Sequence, residues 1–167
     1  LFPILLFLTI TTAEGKERPV FDPEARFHPV YAEHGMVVSE SVYATRAGLE
    51  VLREGGNAVD AAVTAGFTMA VTYPRAGSLG GGGFMLIYLP VTKEAAAIDY
   101  REKAPGAARS SMYLNNKGKV DGEKSLHHII AAGVPGTVAG LALALDKYGT
   151  ITLERALRPA IDLAENG

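Results

Sequence analysis

The 167-residue sequence contains no cysteine and no tryptophan, and neither sign of charge dominates it. The absence of cysteine excludes disulfides, thiolate zinc sites, iron–sulfur clusters and a cysteine nucleophile. Lysine and arginine number 16 against 18 aspartate and glutamate residues, which gives a formal net charge of −2 at pH 7. Because proteins that bind the phosphate backbone carry a basic face or block, we expect no nucleic-acid partner.

Histidine is also scarce. The histidines are His28, His34, His127 and His128, and none of them belongs to an H-E-x-x-H motif. We therefore expect no metal site.

The composition that remains is typical of one globular domain. Hydrophobic residues make up 48% of the chain and charged residues 20%, which argues against the disordered and collagen-like classes. A chain of this length can bury roughly 70% of its unfolded surface, which is enough to form a core.

The N-terminal residues are typical of an export signal. Residues 1–10 are apolar except for Thr9, and the small residues that follow end at Ala13, where a signal peptidase would cut. A membrane span needs about 20 apolar residues, so this run is too short to cross a bilayer. The alternative is the start of a buried strand or helix. We predict that residues 1–13 are a signal-peptide remnant, that 14–34 form an extended lead-in, and that the mature protein is periplasmic or secreted.

Capping residues predict two consecutive helices near the middle of the chain. Ser39 can act as the N-cap of a first helix that ends at Glu54. Asn57 can cap a second helix over Ala58–Thr72, and Asp60 is placed to complete a capping box. The second helix is apolar nearly all round, so we expect it to be central and buried.

Three apolar runs predict strands. Residues 35–38 suit a short strand. Residues 84–89 and 95–100 are separated by a turn and predict an antiparallel pair, the first strand of which we expect to be buried on both faces.

Two more helices are predicted towards the C-terminus. One covers residues 137–147, and another is capped by Thr152 and is interrupted or restarted at Pro159. The resulting mixture of helices and strands belongs to the α/β (α+β) class. Two strands flanked by four helices are too few to cover both a buried helix and a buried strand. We therefore expect this sequence to be a fragment of a longer chain.

The strongest local signal is a run of glycines at residues 80–83, between the apolar helix and the first strand of the pair. Glycine loses more backbone freedom on folding than any other residue, so something must approach this backbone closely. Tight packing, positive φ angles and a ligand-contacting loop all remain open. The spacing matches neither G-x-G-x-x-G nor a P-loop, which argues against nucleotide binding.

Residues 76–80 spell A-x-S-x-G, which is close to the nucleophile elbow of serine hydrolases. That elbow requires the order strand, turn, helix, whereas this sequence predicts helix, turn, strand. A capping or turn role for Ser78 is therefore favoured over a nucleophilic one.

A second signal, DYREKAP at residues 99–105, follows the last predicted strand. The guanidinium of Arg101 offers a planar fork that suits a substrate carboxylate. The same side chain could instead form a structural ion pair with Asp99 or Glu102.

Taken together, the ordered motifs resemble the γ-glutamyltransferase (glutathione hydrolase) family. The motifs are GMVV at 35–38, GGNAVDAA at 55–62, YPRAGSLGGGGFM at 73–85, DYREKAP at 99–105 and GVPG at 133–136. The resemblance covers residues 21–167, and the coincidence of the motifs in order makes it specific, although each alone would be weak.

The resemblance implies an N-terminal-nucleophile hydrolase fold, an αββα sandwich that is incomplete in this sequence, with residues 35–167 as the N-terminal part of the large subunit. Members of the family are exported precursors that cut themselves into a large and a small subunit. A threonine at the new N-terminus of the small subunit attacks γ-glutamyl amides such as glutathione, and the acyl group passes to water or to an amino acid or peptide acceptor. No cofactor or metal is implied.

The same resemblance assigns Arg101 as the substrate-binding residue that grips the α-carboxylate of the γ-glutamyl group. It assigns no catalytic residue to this sequence, so Thr137, Thr150 and Thr152 are not expected to be the nucleophile. Under this resemblance, the glycines at 80–83 have a structural role beside the substrate pocket. Whether they also contact the substrate is not decided by the sequence. The alternatives are a non-catalytic exported binding or interaction domain on the same scaffold and a serine hydrolase that uses Ser78.

Overall fold

The computed structural model describes residues 29–167, so the predicted signal-peptide remnant and most of the lead-in lie outside the described residues. In chain order the elements are α1 (Val42–Arg53), α2 (Ala58–Thr72), β1 (Phe84–Leu89), β2 (Glu94–Asp99), α3 (Gly122–Leu126), a 3₁₀ helix (Ile129–Ala131), α4 (Thr137–Tyr148) and α5 (Leu153–Asn166). Within the described part of the chain, no helix combines the length and the apolar character that a membrane crossing requires.

Helix α2 is the centre of the fold, as its composition predicts. It packs against α1, α4 and α5, and eight of its residues are buried. Val63 and Phe67 of α2 meet Leu141 of α4 and the buried alanines of α5 in one apolar core. The predicted capping box is confirmed, because the Asn57 side chain accepts hydrogen bonds from the α2 backbone while Asp60 accepts one from the Asn57 backbone.

The Asp60 carboxylate also ties α2 to the loop between α4 and α5. It is fully buried and accepts hydrogen bonds from Thr150 Oγ1 at 2.6 Å and from Thr150 N at 2.7 Å. Burial alone would raise the pKa of Asp60, but the hydrogen bonds from Thr150, Asn57 and Ile151 outweigh it and lower the pKa below its ordinary value of 3.8. The Asn57 amide adds a 2.7 Å hydrogen bond to the Tyr148 carbonyl at the end of α4.

Strands β1 and β2 form the predicted antiparallel hairpin, with β2 one residue earlier than expected. Ile87 and Ile98 enter the core from one face. The expectation that β1 is buried on both faces is wrong, because Phe84, Leu86 and Tyr88 are 65%, 83% and 64% exposed. Alternate side chains of a strand point to opposite faces, and none of the described elements covers the second face.

The predicted strand at residues 35–38 is also wrong. These residues form no backbone ladder with any other segment of residues 29–167, and a strand exists only where a neighbour pairs with it. Helix α1 starts later than expected because Ser41, not Ser39, is its N-cap. Ser39 Oγ instead bonds to the Ser41 carbonyl at 2.9 Å.

Helix α5 continues through Pro159, so the predicted interruption there is wrong. A proline inside a helix removes one backbone hydrogen bond and crowds the preceding turn. Ala156 and Ala160 are buried against the core on either side of Pro159, and this packing holds the two turns in one helix.

Replacement of Asp60 by asparagine should destabilise the chain by roughly 3 kcal/mol at pH 7, because an amide accepts fewer and weaker hydrogen bonds than the buried carboxylate. Since the folded pKa is lowered, the carboxylate stabilises the fold above its unfolded pKa, and this contribution is lost as the pH falls through the folded pKa. Urea unfolding followed by circular dichroism at pH 7 and at acid pH measures both effects.

The matched control is Asp146→Asn, on the exposed side of α4. The control variant should keep the stability and the acid sensitivity of the original chain, whereas Asp60→Asn should be less stable and less sensitive to acid. Equal unfolding free energies for the two variants would contradict the role assigned to Asp60.

Candidate functional site

The candidate site lies where β2 ends and residues 100–103 pass between the glycine-rich loop and the start of α4. Tyr100 and Gly83 exchange backbone hydrogen bonds of 3.0 and 3.4 Å. Lys103 and Val134 exchange a second pair of 3.2 and 2.8 Å. The Gly81 carbonyl accepts from the backbone N–H groups at the start of α4. The three segments are therefore fixed to one another by their backbones.

The glycines of the loop explain how closely the segments pack. None of the residues 80–83 has a positive φ, so backbone conformation does not require glycine there. An added Cβ at Gly82 would lie 2.5 Å from the Tyr100 carbonyl oxygen and 2.7 Å from the Arg101 Cα, and one at Gly83 would lie 3.0 Å from the Tyr100 ring. The close neighbour of Gly82 and Gly83 is thus the segment 100–102 of the same chain, in line with the packing alternative, whereas an added Cβ at Gly80 would meet no atom within 4 Å.

Tyr100 also packs against Gly136, the N-cap of α4, and Gly140 in the second turn of α4; we call these two glycines the glycine cradle. An added Cβ at Gly136 would overlap the Tyr100 backbone, and one at Gly140 would overlap its ring. Burial of the ring raises the pKa of the Tyr100 phenol. This packing was not predicted from the sequence, although two glycines four residues apart at the start of a helix place their bare surfaces on one face.

Arg101 follows Tyr100 and is exposed. Its guanidinium carbon lies 5.9 Å from the centroid of the Phe84 ring, a cation–π distance. Its side chain forms no ion pair with any carboxylate of residues 29–167, and only its backbone N–H bonds to Asp99 Oδ1, at 3.1 Å. The structural ion pair with Asp99 or Glu102 is therefore not formed. The stacked guanidinium keeps its N–H donors available for another carboxylate.

Two cavities flank this segment. Arg101 lines one of about 230 Å³, together with Tyr100, Lys103 and the first turns of α4. The second cavity has a volume of about 380 Å³ and is lined by Gly81 and Gly82. Glu102 also lines this second cavity, and Arg101 does not. The structure thus places the Arg101 backbone against Gly82 and its guanidinium over Phe84, and Arg101 is among the residues that line the cavity beside α4.

Ser78 lacks the surroundings of a serine nucleophile. The order α2, turn, β1 is the reverse of the one that a nucleophile elbow requires. Its carbonyl accepts 3.2 Å hydrogen bonds from the Gly81 N–H and from Thr137 Oγ1, which is the turn role favoured by the sequence. No histidine of the described residues lines the cavity beside Ser78.

Comparison with known proteins gives one consistent answer. The sequence model of the family described as Gamma-glutamyltranspeptidase matches residues 44–167. The glutathione hydrolase proenzyme of Escherichia coli (strain K12) is 54% identical over 141 residues, which is 84% of this chain and 24% of the relative. The corresponding proenzyme of Bacillus subtilis (strain 168) is 42% identical over 156 residues, covering 93% of this chain and 26% of the relative.

Two solved structures show the same likeness. Helicobacter pylori gamma-glutamyltranspeptidase superposes with a TM-score of 0.78 at 48% identity, covering 83% of this chain and 40% of that chain. Gamma-glutamyltranspeptidase from Pseudomonas nitroreducens complexed with L-DON gives a TM-score of 0.74 at 48% identity, over 80% of this chain and 39% of that one. The present chain spans about a quarter of the length of the curated relatives it matches.

Replacement of Gly140 by alanine should lower the free energy of unfolding by about 2 kcal/mol, because the new methyl group overlaps the Tyr100 ring and forces the packed segments apart. Urea unfolding of the chain measures the loss. Gly106→Ala is the matched control, since an added Cβ there meets no atom within 4 Å. The control should stay within about 0.5 kcal/mol of the original chain. A Gly140→Ala variant as stable as the control would contradict the cradle.

Proposed function

The chain belongs to the γ-glutamyltranspeptidase family, and from that premise we propose that it forms part of an exported enzyme that acts on glutathione and other γ-glutamyl compounds. In this proposal the enzyme cleaves the γ-glutamyl amide and passes the acyl group to water or to an amino acid or peptide acceptor. The protein in which this chain works is a precursor that cuts itself into a large and a small subunit. The chain belongs to the large subunit and is inactive alone.

The observation that carries the proposal is the unpaired guanidinium of Arg101. It lies over the Phe84 ring and forms no ion pair with a carboxylate of the described residues, and Arg101 is among the residues that line the cavity beside α4, as is Asp99. A guanidinium binds a carboxylate through two parallel N–H···O bonds, which fix both the position and the orientation of the ligand. We assign Arg101 to the α-carboxylate of the γ-glutamyl group.

The reacting hydroxyl in this proposal is an N-terminal threonine from the small subunit. Its oxygen attacks the γ-carbonyl carbon, its own α-amine takes the hydroxyl proton, and the amide nitrogen leaves with a proton. Water or an acceptor amine then breaks the resulting ester. Three threonines towards the C-terminus have structural roles instead: Thr137 Oγ1 donates to the Ser78 carbonyl, Thr150 Oγ1 donates to the Asp60 carboxylate, and Thr152 caps α5.

The exposed apolar face of β1 supports a larger assembly. A hairpin of two strands with one uncovered face is marginal by itself, and more strands or a second layer complete such a sheet. We propose that the small subunit and the rest of the large subunit complete an αββα sandwich over this face. The apolar residues 1–10 and the small residues after them support export, with the mature protein periplasmic or secreted.

The test is the exchange of Arg101 in the intact precursor. Arg101→Lys keeps the charge but loses the planar fork, so we expect the KM for a γ-glutamyl substrate to rise about tenfold, and Arg101→Ala should raise it about a hundredfold. Steady-state hydrolysis of a chromogenic γ-glutamyl amide measures both values, and the mature subunits are checked by electrophoresis.

Arg46→Lys provides the matched control, because Arg46 is an exposed arginine of α1 away from both cavities. An unchanged KM in Arg101→Lys would remove the role of Arg101. A precursor that matures but never turns over γ-glutamyl amides would instead favour the non-catalytic binding domain.

A further inference from the structure

The open face of the β-hairpin ends in three side chains, those of Phe84, Asp99 and Arg101. Phe84 and Asp99 are directly opposite each other in the ladder. The next pair, Gly83 and Tyr100, exchanges both backbone hydrogen bonds. Phe84 and Asp99 therefore form a non-hydrogen-bonded pair, in which opposing side chains lie closest together. Because alternate residues of a strand share a face, Arg101 continues the row that contains Asp99.

The position across from Arg101 carries no side chain. An added Cβ at Gly82 would lie 2.7 Å from the Arg101 Cα, so a glycine is the direct neighbour of Arg101 on the other strand. The guanidinium extends diagonally over the next side chain of β1 instead, and its carbon lies 5.9 Å from the centroid of the Phe84 ring. At an exposed site a cation–π contact stabilises about as much as a surface ion pair does, so the ring can compete with a carboxylate for the guanidinium.

Two carboxylates flank Arg101 in the sequence, and neither pairs with its guanidinium. Asp99 Oδ1 accepts from the Arg101 backbone N–H at 3.1 Å. An added Cβ at Gly81 would lie 3.6 Å from Glu102 Oε1, so the Glu102 carboxylate is directed towards the glycine-rich loop. Asp99 is the closer competitor, because it shares a face of the hairpin with Arg101 and Phe84. A guanidinium paired with Asp99 would not present its planar fork to a ligand.

We propose that Phe84 is a positioning residue, whose ring holds the Arg101 guanidinium away from Asp99 and keeps its planar fork open for the carboxylate of the ligand. The ligand in this statement rests on the proposed function, whereas the choice between the ring and Asp99 rests on the hairpin alone. Without the ring, the guanidinium pairs with Asp99 in a fraction of the molecules, and the apparent affinity for the ligand falls by that fraction. Binding is weakened while the reacting groups are unchanged.

Steady-state kinetics of the intact precursor with a chromogenic γ-glutamyl amide tests this role. Phe84→Leu keeps an apolar side chain but removes the aromatic face, so the KM should rise about fivefold while kcat stays within about twofold. Phe84→Tyr keeps the aromatic face and should keep the original KM. Tyr88→Leu is the matched control, since Tyr88 lies on the same face of β1, is 64% exposed against 65% for Phe84, and has no cation of the described residues over its ring.

An Asp99→Asn background separates positioning from packing. The amide oxygen there can still accept from the Arg101 backbone N–H, but the side chain no longer attracts the guanidinium by charge. The rise in KM caused by Phe84→Leu should therefore shrink to within about twofold in this background. An unchanged KM in Phe84→Leu, the same rise in Tyr88→Leu, or a rise of equal size with and without the Asp99 charge would overturn the proposal.

Failure of the proposed function has a different signature. It fails if Arg101→Lys leaves the KM unchanged, or if the mature protein does not turn over γ-glutamyl amides. Crystal structures of the intact precursor and of its Phe84→Leu variant then decide the positioning by Phe84. A guanidinium within about 4 Å of the Asp99 carboxylate in the variant alone supports the proposal. A guanidinium that is paired in both structures, or unpaired in both, excludes it.

Discussion

The contact between the Tyr100 ring and Gly140 is the one on which the candidate site depends. The Tyr100 ring occupies the space that an alanine side chain at position 140 of α4 would need. The Tyr100 backbone is hydrogen-bonded to Gly83, and the Lys103 backbone is hydrogen-bonded to Val134. This single placement sets the path of residues 101–103, which line the cavities on either side of the segment. The geometry of the charged side chains is therefore a consequence of apolar packing by their neighbour rather than of attraction between the charges themselves.

Helix α4 can hold Tyr100 in place because both of its ends are anchored. At its start, the N–H groups of Gly136 and Thr137 donate to the Gly81 carbonyl. At its end, the Tyr148 carbonyl accepts from Asn57, and the following Thr150 bonds to the buried carboxylate of Asp60. The capping box of α2 thus serves the site as well as the helix, since it fixes the helix that carries the glycine cradle.

Local chemistry explains which elements could be predicted from the sequence. The caps of α2 and α5 depend on residues within a few positions of each other, and the predictions for Asn57 and Thr152 are confirmed. The predictions that are wrong concern features that depend on contacts with residues far away in the sequence. Residues 35–38 would form a strand only beside a neighbouring strand. Pro159 is tolerated inside α5 because the helix packs against the core. The exposure of β1 depends on which other element covers its second face. At the site, the spacing of DYREKAP and the family resemblance pointed to Arg101, but no local pattern could place its side chain over Phe84 rather than beside Asp99 or Glu102.

In the function proposed above, the stacking of Arg101 on Phe84 would link ligand binding to assembly. Phe84 belongs to the apolar face of β1 that is open to solvent, so the guanidinium rests on the edge of a surface that other polypeptide is suited to cover. Any such cover removes water from around the cation, and attraction between opposite charges strengthens steeply as the local dielectric constant falls. Covering this face would therefore strengthen the attraction between the Arg101 guanidinium and an anionic ligand, with no change in the arginine itself.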